Sequence, residues 1–311
     1  MAVVYAPPRV SPSHPCVLNQ RIARLSSPYQ NTRPPFFYPT SNFGNVSEFA
    51  CINSTCVSLS TKIIFDDPYL QTAVIDALKQ DSSFDGTKGY VTVGECQKLT
   101  GLNAFNKGIT SIKGIEYCTG LEWLYLGGNQ ITDISPLLGL KNLTWLFLAS
   151  TGINDGNISN NVVPVLKQLS NLTALDLSHN NIKDISALKE LINLRRLNLS
   201  YNNIVDISAL EYLTNLTLLD LGYNKIENIS ALISNTGLDS NATVWLTGNF
   251  NITQEQINDL RKKGVTVCYN DTCSTDQTPT NSPYPWINGL ITKSMQHIPT
   301  LKKVKTLLKI Q

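Results

Sequence analysis

Few residues in this chain are placed to do chemistry. Three histidines occur in its 311 residues, and two of them, His14 and His297, lie near the ends. His179 alone falls in the patterned middle, three residues after Asp176, so a carboxylate and an imidazole can share one surface there. Such a pair can pass a proton. Nothing in the pattern supplies a nucleophile or an oxyanion site, and the open sheet argued below does not exclude water. No Gly-rich phosphate loop occurs. A surface histidine in a contact patch is the better reading, so no catalytic residue and no cofactor is assigned.

The seven cysteines are of two kinds. Cys51-Ile-Asn-Ser-Thr-Cys56 and Cys268-Tyr-Asn-Asp-Thr-Cys273 repeat one pattern at either edge of the patterned region. Each can close a small local disulfide, staple one end of the fold and imply an oxidising compartment. Zinc held by these four is the weaker alternative, because the two-residue gap of structural zinc sites is absent, and no metal site is assigned. Cys118 falls in the column of Leu140, and Cys96 on the apolar side of a helix, so both read as buried thiols. Cys16 is left over, and free thiols throughout remain the other reading. Eleven Asn-x-Ser/Thr sequons are present, more than chance supplies, with Asn53 and Asn270 inside the cysteine loops. Asn142, Asn171 and Asn215, however, belong to an internal repeat's own turn sequence, and a glycan on Asn198 would block the face proposed below for binding.

These residues are positioned by one recurring stretch. LEWLYLGGNQI (121–131) returns as LTWLFLASTGI (143–153), LTALDLSHNNI (172–182), LRRLNLSYNNI (194–204), LTLLDLGYNKI (216–226) and a worn VWLTGNFNI (244–252). The pattern is LxxLxLxxNxI, that of a leucine-rich repeat. Alternate side chains of a short strand face opposite ways, so the paired leucines (124 and 126, 146 and 148, 175 and 177, 197 and 199, 219 and 221) point inward together. A single repeat has no partner for its apolar face, so only the stacked array is stable. Asn129, Asn180, Asn202, Asn224 and Asn249 follow the strands, where an amide can satisfy stripped backbone groups. Thr151 breaks that series, and a local weakness is expected there. Steps of 22 residues leave room on the back only for tight turns or single 3₁₀ turns, while the 29-residue step from Leu148 to Leu177 gives VVPVLKQL (162–169) a true helical turn. The expected fold is α/β: a leucine-rich repeat solenoid, curved as an arch, with a concave parallel sheet and a helical N-terminal cap.

The 22-residue repeat with its IxDISxL tail resembles the internalins, bacterial surface proteins whose repeats bind host receptors; a nuclear phosphatase regulator shares the repeat length. FDDPYLQTAVIDALKQ (65–80) and VTVGECQKLTGLNAFNKGITSIKGIEY (91–117) are similar to the cap before internalin-like arrays. EQINDLRKKGVTVCY (255–269) resembles the helix and strand that close them. Asp67 with Pro68 opens the first cap helix, Thr92 and Glu95 form a capping box for the second, and Leu99 to Ile109 make a degenerate first repeat. The expected divisions are a Pro-rich basic arm disordered by composition (1–60), the cap (61–100), the repeats with their closing helix and strand (101–270), and a linker with a basic amphipathic tail (271–311).

Function is expected on the concave face, where the residues between the leucines point. Phe105, Trp123, Tyr125, Trp145 and Phe147 make its first half aromatic; Asp176, Arg196, Asn198, Asp220 and Trp245 continue it; His179, Tyr201 and Tyr223 add a column just past the strands. Contiguous aromatics exposed over several hundred Å² mark binding surfaces, and Trp, Tyr and Arg at interface hot spots are worth about 2 kcal/mol or more. The partner is expected to be a protein. Cover by the chain's own tail is the alternative, since IPTLKKVKTLLKIQ (298–311) can form a helix with lysines opposite its leucines, and such a helix can also touch a membrane surface.

Charge separates the ends from the body. Residues 1–47 carry four arginines and residues 277–311 five lysines, with no acid in either, which leaves 16 basic against 23 acidic residues between. An acidic body argues against nucleic acid on the arch. No apolar run reaches the 18 residues of a transmembrane helix, MAVVYAPPRV lacks the order of a signal peptide, and a monomer is expected. The cysteine and sequon patterns favour the cell surface over the cytoplasm. An intracellular regulatory scaffold, like the phosphatase regulator, is the second reading.

Overall fold

The computed structural model describes residues 49–52, 55–154 and 162–269. Expectations for the arm up to residue 48, for Cys16 and Cys273, and for the basic tail lie outside them. Two short strands, β1 (Phe49–Ile52) and β2 (Thr55–Ser58), pair as an antiparallel hairpin inside the stretch 1–60 that composition assigned to a disordered arm. Helix α1 (Pro68–Leu78) and the single turn α2 (Val93–Cys96) complete the cap. Asp67 opens α1 by accepting hydrogen bonds from the backbone N–H groups of Tyr69 (2.8 Å) and Leu70 (3.2 Å). Its second oxygen accepts from Thr110 N at 2.8 Å, so one carboxylate ties the cap helix to the first repeat.

Each repeat then contributes three residues to an eight-stranded parallel sheet in strict chain order. The strands are β3 (Gly101–Asn103), β4 (Trp123–Tyr125), β5 (Trp145–Phe147), β6 (Ala174–Asp176), β7 (Arg196–Asn198), β8 (Leu218–Asp220), β9 (Thr243–Trp245) and β10 (Thr266–Cys268). Register aligns Leu102, Leu124, Leu146, Leu175, Leu197, Leu219, Val244 and Val267 in one buried column. Full burial of each leucine stabilises by about 1.5–3 kcal/mol. The 22-residue steps return along 3₁₀ segments at Ser135–Gly139, Ser186–Glu190 and Ser208–Tyr212. The longer steps form helices α3 (Val163–Gln168) and α4 (Ser230–Ser234). Helix α5 (Gln254–Lys262) and β10 close the array, and Lys263 Nζ donates to the Leu232, Ile233 and Asn235 carbonyls at the end of α4.

The asparagines form the buried ladder expected of them. Asn202 accepts from Ile182 N (3.1 Å) and donates to the Leu177 and Leu199 carbonyls (both 3.0 Å), bridging two repeats. Asn224 and Asn249 repeat these bonds one and two rungs on. Thr151 has no amide to do so. Its hydroxyl donates to Leu148 O in its own turn, and its own N–H is taken up by Asn180 ahead, so no side chain there reaches back to Ile131.

One reading is corrected. Cys96 and Cys118 are not buried thiols but a disulfide, with Cα atoms 4.5 Å apart. The end of α2 and the 3₁₀ segment Ile115–Tyr117 converge on the same end of the core, so both sulfurs reach one site. Cys56 and Cys268 are disulfide-bonded as well, and the hairpin register sets Cys51 opposite Cys56.

Candidate functional site

Strand alternation turns Trp123, Tyr125, Trp145 and Phe147 to the concave face, but it does not leave them all exposed. Tyr125 and Phe147 are only 7% and 6% exposed, and with Ala174 they form a second apolar cluster that half-buried Trp123 and Trp145 flank. The rings pack on one another within a rung and across rungs: Trp123 lies 5.1 Å from Tyr125 on the same strand, and Tyr125 meets Phe147 of the next strand edge to face at 4.6 Å. Gly101 makes this possible, since a Cβ there would fall inside the Trp123 indole. The open aromatic patch expected from the sequence is thus largely self-covered. The Tyr125 hydroxyl is buried without a hydrogen-bond partner, and burial pushes its phenol well above the ordinary range. Phe105 is half-buried, its ring over Gly127 and Gly128.

The middle of the face is polar and interlocked. Asp176 accepts from Ser178 N (2.9 Å) and Ser178 Oγ (2.7 Å), and from Asn198 Nδ2 at 3.3 Å. Burial raises its pKa above the usual carboxylate value against the opposing pull of these bonds. Asn198 makes the same pair of bonds to Ser200 one rung on, and Asp220 accepts from Gly222 N at 2.9 Å. Asn198 is 6% exposed, so its sequon offers no accessible amide in the folded chain. Arg196 is half-buried, which lowers its pKa, while Asp220 and Trp245 are partly exposed. The Asp176 oxygens are engaged by Ser178 and Asn198, while the His179 ring is stacked elsewhere, so the two are not set up as an acid–base pair.

Just past the strands the exposed aromatics line up. His179 stacks on Tyr201 (4.2 Å between ring centres, 12° between planes), and Tyr201 stacks on Tyr223 (4.3 Å, 13°). The tyrosines are 45% and 48% exposed. All three residues have φ near +52 to +55°, a left-handed conformation uncommon for bulky side chains. The equivalent positions of other repeats hold Asn106, Gly128, Ser150 and Gly248. Partial burial raises the Tyr201 pKa, and the Tyr223 hydroxyl and Asp220 add to the shift.

Sequence reasoning missed a feature at the opposite edge of the sheet. Asn142, Asn171, Asn193 and Asn215 each donate to a carbonyl of the preceding repeat at 2.8–3.0 Å, forming an outer amide ladder. Asn171, Thr173, Asn193, Arg195 and Asn215 line a shallow polar recess there. The recurring NL[TR] tripeptide was its visible signal. Among the described residues no helix is long and apolar enough to cross a membrane.

An open parallel sheet backed by 3₁₀ turns, with inward leucines and a bridging asparagine in nearly every turn, defines a leucine-rich repeat protein. Residues 157–204 match the family described as leucine rich repeat, and residues 192–234 that described as leucine rich repeats (2 copies). The crystal structure of internalin C2 from Listeria monocytogenes is 31% identical, covers 69% of this chain and 100% of that one, and has a TM-score of 0.52. Internalin F from the same organism is 30% identical over 66% of this chain and 63% of its own, with a TM-score of 0.51. No curated protein matches. The chain belongs to the internalin-like leucine-rich repeat family, and its repeat domain is a protein–protein interaction module.

Proposed function

We propose that the concave face binds a protein partner and that the role is adhesive or receptor-like recognition. The observation that carries this reading is the row of exposed aromatics at strained backbone positions, His179, Tyr201 and Tyr223, beside a rigid bed formed by Trp123, Tyr125, Trp145 and Phe147. Strain persists where surrounding structure enforces it, and it gathers at functional sites. The bonded states of Cys56, Cys96, Cys118 and Cys268 favour an oxidising compartment over an intracellular scaffold role.

Binding of labelled full-length protein to a panel of cell surfaces and arrayed extracellular proteins tests the proposal. Trp123→Ala with Trp145→Ala should abolish saturable binding with the fold intact by circular dichroism. Tyr212→Ala, on an exposed convex 3₁₀ segment, should leave it unchanged. Normal binding by the double variant, or equal loss in Tyr212→Ala, sinks the assignment.

A further inference from the structure

The aromatic stack has one closed end and one open end. At the Tyr223 end the backbone of Gly248 seals the ring, since a Cβ there would lie 2.7 Å from Tyr223 Cδ1. At the other end the next rung toward the cap is Ser150, a small exposed residue at φ 54° whose backbone N–H donates to Ser178 O. The outer face of the His179 imidazole therefore borders a rung that, among the described residues, carries only the Ser150 side chain and no ring. Stacking distance along the row is 4.2–4.3 Å, so a planar group on the Ser150 rung would lie flat against His179 in the same register.

Charge selects among planar groups. Between its basic ends the chain carries 16 basic against 23 acidic residues. Asp220 helps raise the pKa of Tyr201, the middle rung, and Asp176 ends the strand that leads to His179, the terminal one. A cation is favoured at such a site, and a guanidinium, unlike the tetrahedral ammonium of lysine, is flat and stacks on aromatic faces.

We infer that the rung above Ser150 is an arginine-binding slot, in which a partner protein's guanidinium stacks on the open face of His179 and extends the row. The inference rests on the concave-face reading and adds the chemistry of the partner. Ser150→Tyr is the decisive variant: Tyr201 and Tyr223 already occupy this conformation at φ 55°, so a tyrosine at 150 fills the slot without new backbone strain.

The experiment is calorimetric titration of the full-length protein at slightly alkaline pH with hexaarginine and hexalysine. Hexaarginine should bind about tenfold tighter than hexalysine. Ser150→Tyr and His179→Ala should each weaken it about fivefold, toward the hexalysine value. Equal binding of the two peptides, or hexaarginine binding untouched by Ser150→Tyr, overturns the slot. If the chain's own arginines fill it, hexaarginine will bind only after Arg9, Arg21, Arg24 and Arg33 are replaced by lysine, which also overturns the assignment to a partner. Cell-surface binding that is lost in the Trp123 and Trp145 double variant but unchanged in Ser150→Tyr leaves the concave reading standing and removes the slot alone.

Discussion

Asn202→Ala isolates what the internal ladder contributes. The amide accepts from Ile182 N and donates to the Leu177 and Leu199 carbonyls, all inside the core and away from water. Truncation strands one buried N–H, at about 1–3 kcal/mol, and leaves two carbonyls each short of one donor. A total loss of about 3 kcal/mol is expected, a large share of the 5–15 kcal/mol typical of a domain. Urea unfolding should show a midpoint lower by about 1 M for a slope of 2–3 kcal/mol/M. Because a repeat touches only its neighbours, the two halves can also separate into distinct transitions, with Trp123 and Trp145 on one side of the rung and Trp245 on the other. Thr151 supplies the converse, since Thr151→Asn restores an amide able to reach back to Ile131 and should stabilise by about 1 kcal/mol. A loss below about 0.5 kcal/mol for Asn202→Ala, or an equal loss for its more exposed neighbour in Asn203→Ala, refutes the ladder as a source of stability.

Two titratable groups give further tests. Asp67→Ala should cost about 1–2 kcal/mol in chemical denaturation, because it removes the N-cap of α1 together with the link to Thr110. Burial pushes the Asp67 pKa up, but the Thr110, Leu70 and Tyr69 N–H groups outweigh it and the net shift is down. Its stabilisation is therefore complete above the ordinary carboxylate value of about 3.9 and is lost as pH falls through the folded value, so the variant should flatten the acid limb of the stability–pH curve. Asp176 has the opposite sign: its raised pKa means the folded state holds the proton more tightly, so its contribution falls as pH rises from about 3.9 through the raised value. Asp176→Asn should remove that slope and be at least as stable at pH 7, with Asn198 as the precedent for an amide in this setting. A variant less stable by more than about 1 kcal/mol at pH 7 shows that the charge itself is used.

The fold was legible because its signals are local and periodic. Leu124, Leu146 and Leu175 announce the core column by position alone, and Asn129 or Asn202 announces the turn. The site was legible in direction but not in exposure. Alternation says that Tyr125 and Phe147 face the concave side, but their burial depends on rings from adjacent rungs, which lie 22 or more residues away in sequence. Column reasoning missed the Cys96–Cys118 bond for a similar reason: it placed Cys118 among the leucines of the later repeats, whereas its partner belongs to the cap. Composition likewise hid the hairpin at Phe49–Ser58, whose pairing depends on backbone register.

The same repeat-to-repeat bonding explains why bulky side chains can stand where glycine or asparagine is easier. The N–H groups of Gly128, Ser150, His179, Tyr201 and Tyr223 each donate to a carbonyl of the following repeat at 2.7–3.0 Å. The left-handed turn is thus dictated by the stacked neighbour whatever residue occupies it, and a non-glycine there is tolerated at about 1–2 kcal/mol. Stacking between neighbouring rings returns about 0.5–1.5 kcal/mol per pair, so the penalty is nearly offset once aromatics occupy consecutive rungs. A lone tyrosine at Ser150 in an otherwise glycine and asparagine row would lack that compensation, whereas one placed beside His179 would gain it. The row can therefore lengthen one rung at a time over an unchanged scaffold, and the rung where it stops, Ser150, is the point at which a partner's planar side chain gains the stacking that the chain leaves unused.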